Sequence, residues 1–73
     1  MPFLQESVAE LMKRENLSER ALALSLSKIN YVSNQSINDW LKSKHQPRVE
    51  HIDSLYLFAR RLGHIDLEFY QTP

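Results

Sequence analysis

One local pattern, written twice, decides what this chain can become. Leu17-Ser18 precedes Glu19-Arg20-Ala21 and then Leu22; Val32-Ser33 precedes Asn34-Gln35-Ser36 and then Ile37. A serine in that place caps a helix by accepting from a free backbone N–H. The apolar residues on either side of the first turn staple the entering chain onto it. Two such starts, fifteen residues apart, predict two short helices in succession.

The remaining segments keep the helical period, and no run of four to eight residues alternates as a strand would. Leu4, Val8, Leu11 and Met12 form the stripe of a first helix, with Glu10 and Arg14 four apart on its polar side and Asn16 ending it. Leu22 and Leu26 line the second helix, which Ile29 is expected to lengthen. Ile37, Trp40 and Leu41 line the third, and Pro47 shuts it off. A fourth follows in Ile52, Leu55, Ala59 and Leu62, with Phe58 on its flank and Gly63 where a left-handed residue ends a helix. Asp66 is placed to cap a last short turn through Leu67, Phe69 and Tyr70.

The expectation is an all-α bundle of four to five short helices, a single domain over 1–73 with its helix-turn-helix portion at about 18–44. Its predicted core holds Leu11, Leu22, Ala23, Leu26, Ile37, Trp40, Leu55, Ala59 and Leu62. The apolar tail of Ile65, Leu67, Phe69 and Tyr70 either covers a second copy or folds back to complete that core.

Composition narrows the function classes. No stretch reaches the roughly 18 apolar residues of a membrane span. The amino terminus has no basic stretch followed by an apolar run, so a cytoplasmic chain is expected. With no cysteine, disulfides, thiolate metal sites and cysteine nucleophiles are excluded. One glycine leaves no glycine-rich phosphate loop. His45, His51 and His64 lie at spacings that match no zinc site. No catalytic residue, metal or cofactor is expected.

The net charge is zero, but its distribution is uneven. Residues 1–27 sum to −1 and residues 49–73 to −2, whereas residues 28–48 carry Lys28, Lys42, Lys44 and Arg48 against Asp39 alone. Such a local excess is either a solvated face or the footprint of a polyanion.

The segment from Ser33 to Lys44 separates these. With Ile37, Trp40 and Leu41 facing inward, Asn34, Gln35, Asn38 and Lys42 lie on the outward face. Carboxamides pair bidentately with adenine in the major groove, and a lysine further along reaches phosphate or guanine. The capped helix end also offers free N–H groups and a positive dipole to a phosphate. The plainer alternative is that Asn and Gln decorate a solvated helix, although an ordinary exposed face more often carries Glu, Lys or Ala.

Taken in order, Leu17 to Ala23, Ser33 to Trp40, Pro47, and Leu55 to Gly63 resemble the helix-turn-helix family of phage repressors and Cro proteins, the lambda-repressor-like, XRE-type DNA-binding domains. The resemblance spans roughly residues 5–70. It implies that the third helix enters the major groove, with Asn34 and Gln35 as first-turn base readers and Ser36 contacting the backbone. Lys42, Lys44 and Arg48 would track phosphates behind it. Asn38 joins the base-reading face and Lys28 the phosphate-contacting cations.

The turn before Ser33 is about four residues longer than the family's. Glu19 stands where a phosphate contact is usual, and Asp39 borders the reading face, where it can accept from cytosine or act against wrong bases. The function expected is a transcriptional repressor that binds double-stranded DNA, as a homodimer on an inverted-repeat operator. The alternative is an antitoxin-like or other protein-interaction module that keeps the helix-turn-helix frame without touching DNA.

Overall fold

A computed structural model of the chain describes residues 3–71. Four helices follow one another: α1 (Gln5–Glu15), α2 (Glu19–Ser27), α3 (Asn34–Leu41) and α4 (Val49–Arg61). Both serine starts do what their sequence requires. Ser18 Oγ accepts from the Ala21 N–H at 3.1 Å, and Ser33 Oγ accepts from the Ser36 N–H at 3.2 Å. Behind each cap the apolar partner is in place, with Leu17 packed on the core and Val32 buried in it.

Three helices end alike. The N–H groups of Leu17, Lys44 and His64 reach back to the carbonyls of Met12, Asp39 and Ala59 at 2.8–2.9 Å, and each is preceded by a residue at positive φ. Those residues are Asn16 (54°), Ser43 (60°) and Gly63 (91°). This is the Schellman ending, which satisfies carbonyls the last turn leaves open. Only the third place has the residue best suited to it.

Val8, Leu11, Leu22, Leu26, Ile37, Leu55 and Phe69 are wholly buried and Trp40 and Ala59 nearly so, one cluster to which every helix contributes. Leu62, expected there, is 43% exposed, because it caps the end of α4 rather than continuing its inward stripe. No helix among the described residues is long and apolar enough to cross a membrane.

The tail departs from its expected helical turn. Phe3 and Tyr70 form an isolated antiparallel bridge, and the Leu4 N–H donates to the Phe69 carbonyl at 2.9 Å. The Phe69 N–H donates to the Tyr56 hydroxyl at 3.0 Å, and that hydroxyl donates to Glu68 at 3.0 Å. Its surroundings, burial first, push the Tyr56 phenol above its ordinary pKa. With its polar groups satisfied sideways, the tail has no use for a fifth helix. No helix follows Asp66 among the described residues for it to cap; both its oxygens accept from the Arg14 guanidinium at 2.9 and 2.8 Å. Leu67 and Phe69 fold into the core, leaving Ile65 as the outward apolar residue of the tail. Of the two courses open to the tail, these two side chains take the one that completes their own core.

The long connection between α2 and α3 is also not helical. Ile29 lies in a turn beyond Ser27, its N–H bonded to the Leu26 carbonyl, so α2 is not lengthened. The loop is instead fastened at several points. Ser27 Oγ closes it by accepting from the Val32 N–H and donating to the Val32 carbonyl, both at 3.1 Å. Asn30 Nδ2 donates to Ser54 Oγ at 3.1 Å, and Ser54, the buried polar residue of the core, donates onward to the Glu50 carbonyl at 2.9 Å. The His51 ring donates from Nε2 to the Tyr31 carbonyl at 3.0 Å while its centroid lies 5.5 Å from that of the Trp40 ring, the two planes tilted by 47°. The long connection is thereby held against α4.

Candidate nucleic-acid interface

The first turn of α3 begins at an extended, serine-capped residue, so its leading N–H groups point away from the helix body. Asn34 and Gln35 stand exposed on it. Gln35 Nε2 donates one hydrogen to Asp39 Oδ1, one helical turn on, at 2.9 Å. That bond fixes the carboxamide with its second N–H and its Oε1 still open, one donor and one acceptor. Adenine presents the complement of this pair along its major-groove edge. Asp39, on the edge of this face, thus orients the Gln35 carboxamide.

Asn38 stands differently. It is half-buried, and its Nδ2 lies 3.2 and 3.3 Å from the two carboxylate oxygens of Glu19. Here it joins α3 to the first turn of α2 rather than extending the exposed face. Ser36 is likewise half-buried, its N–H and hydroxyl both turned to Ser33 Oγ. Its hydroxyl serves the cap, not a neighbour outside.

The cations divide. Arg48, at the N-cap of α4 beyond the buried Pro47, shares a hollow with Ser36 and Asp39 and so flanks α3 directly. Lys42 ends α3 and Lys44 follows the left-handed Ser43; both are exposed. None of the three forms an ion pair among the described residues. Lys28 instead lines a hollow between α2 and α4 with Ile29, Phe58 and Arg61, apart from the hollows that flank α3.

Two residues not singled out from the sequence belong to this surface. Arg20, exposed in the first turn of α2, and Tyr31, from the long connection, line one hollow with Leu24 and Asn34. Arg20 and Leu24 share an outward stripe at i, i+4, which was a readable signal for the first. Nothing local distinguished Tyr31, because its position depends on how the turn is fastened to α4.

Among the described residues no three His, Asp or Glu side chains gather as a metal site would require. The chain matches no protein-family model, and no curated protein or solved structure is significantly similar to it.

Proposed function

We propose that this chain is a sequence-specific DNA-binding regulator, a cytoplasmic repressor of the lambda-repressor-like, XRE-type kind that places α3 in the major groove. One observation carries the reading: an exposed first turn of α3 that offers Asn34 together with a Gln35 pre-oriented by Asp39. Arg48 beside that turn and Lys42 and Lys44 behind it supply the phosphate contacts. Reading one groove with one short helix buries little surface. Two copies on an inverted repeat, with α3 helices about 34 Å apart, double the contacts.

Selection from a random duplex library tests the proposal. A sequence should emerge, and Gln35→Ala and Asn34→Ala should each weaken binding to it by about 1–3 kcal/mol while leaving random duplex nearly untouched. Lys44→Ala and Arg48→Ala should weaken all sequences alike and lower the salt slope by about one each.

A second reading, a helix-turn-helix frame used as an antitoxin-like or other protein-interaction module, draws support from Glu19 beside α3 and Asp39 on it, both negatively charged. A library that yields no sequence decides for it.

A further inference from the structure

Tyr31 is the most exposed of the large apolar residues among the described residues, at 78%. An aromatic ring in water on a loose loop would be unremarkable, but this one stands on a fastened backbone. Asn30 before it is tied to Ser54, its own carbonyl accepts from His51, and Val32 after it is closed by Ser27. The backbone order is therefore already in place before any partner arrives, which lowers the entropy cost of using the side chain. The ring shares its hollow with Arg20 and Asn34, and Arg20 has no ion-pair partner among the described residues.

We propose that Tyr31 is a further DNA contact, its phenolic O–H donating to a backbone phosphate at the groove edge beside Asn34, with Arg20 reaching the same stretch of backbone. This rests on the DNA-binding reading above. The residue lies two positions before the Ser33 cap and on the α2 side of Asn34, outside the turn that meets base edges. A phosphate, not a base, is what a groove-entering helix brings to such a flank. A phenol is a neutral donor, and a bond to an anionic oxygen is the stronger kind available to it. The long turn, on this view, is not slack in the chain but an arm that adds a register-fixing contact.

The test uses the full chain on its selected duplex and on random duplex, over a range of salt, with helicity checked by circular dichroism. Tyr31→Phe and Tyr31→Ala should each lose roughly tenfold in affinity on both duplexes, the loss of one hydrogen bond to a charged group. The salt slope should not change, because a neutral donor releases no counterion. Arg20→Ala should lose a similar factor and lower the slope by about one. Tyr31→Phe binding like the parent overturns the phosphate contact, and so does a loss confined to the selected duplex. Failure of the parent chain to bind any duplex would instead defeat the DNA-binding reading itself. The Tyr31 result is thus separable from it.

Discussion

Asn38 and Glu19 face each other across the α2–α3 pair, one amide nitrogen between two carboxylate oxygens at 3.2 and 3.3 Å. The contact ties α3 to the first turn of α2, so Asn38, expected among the base readers, acts first on the angle of α3. Asn38→Ala should therefore destabilise the fold by about 1 kcal/mol and weaken specific and random duplex together. A double-mutant cycle with Glu19→Ala should give a coupling of about 1 kcal/mol in chemical denaturation. Loss of sequence preference at unchanged stability would return Asn38 to the groove.

Asp66 and Arg14 give the fold a dependence on acid. The guanidinium holds the Asp66 carboxyl at about 2, below its ordinary 3.8. A depressed carboxyl contributes stability above its unfolded value and loses it as pH falls through the folded one. Asp66→Asn should thus melt below the parent at neutral pH, and the gap should close between about pH 4 and pH 2, the interval those two values define. Melting curves across that interval check the sign.

Gly63 separates conformational strain from crowding. A Cβ there would meet nothing within 4 Å, yet φ is +91°. Gly63→Ala should still cost about 1 kcal/mol, all of it from the backbone. Ser43, at φ 60° in the equivalent place, should respond in the opposite sense: Ser43→Gly should gain a few tenths to about 1 kcal/mol. Paired denaturation curves decide both.

Phe69 is wholly buried, with its ring centroid 5.1 Å from that of Tyr56. Phe69→Ala should cost about 3–5 kcal/mol, enough to unfold much of so small a domain. Ile65→Ala, at 76% exposed, should leave stability within about 0.5 kcal/mol. Any self-association on DNA must therefore be sought without the Phe69 side chain.

What could be read from the sequence is what neighbours in sequence decide. Ser18 and Ser33 act within their own first turns, and Glu10 with Arg14 within one helix, so periodicity and capping chemistry reveal them. The inward set of α2 and α3, and Leu55 and Ala59 of α4, were legible for the same reason, whereas Leu62 and the buried Ser54 were not. For Phe69 the fold-back was one of two courses left open. The contacts of Phe69 with Tyr56 and Asp66 with Arg14 were not readable, since the partners lie 13 and 52 residues away. The exposed carboxamides Asn34 and Gln35 were found from the helical wheel, but Asn38, on the same wheel, was claimed by Glu19 nineteen residues earlier. A wheel assigns a direction and not the neighbour that waits there.

The bridge between Phe3 and Tyr70 has a mechanical side. In an antiparallel pair, tension applied between Phe3 and Tyr70 on the side away from Leu4 and Phe69 peels the pairing open instead of shearing it. The Leu4–Phe69 hydrogen bond carries that load, and behind it stands the ring that seals the core. Pulled by its ends, this chain should yield at low force and lose Phe69 before any helix unwinds.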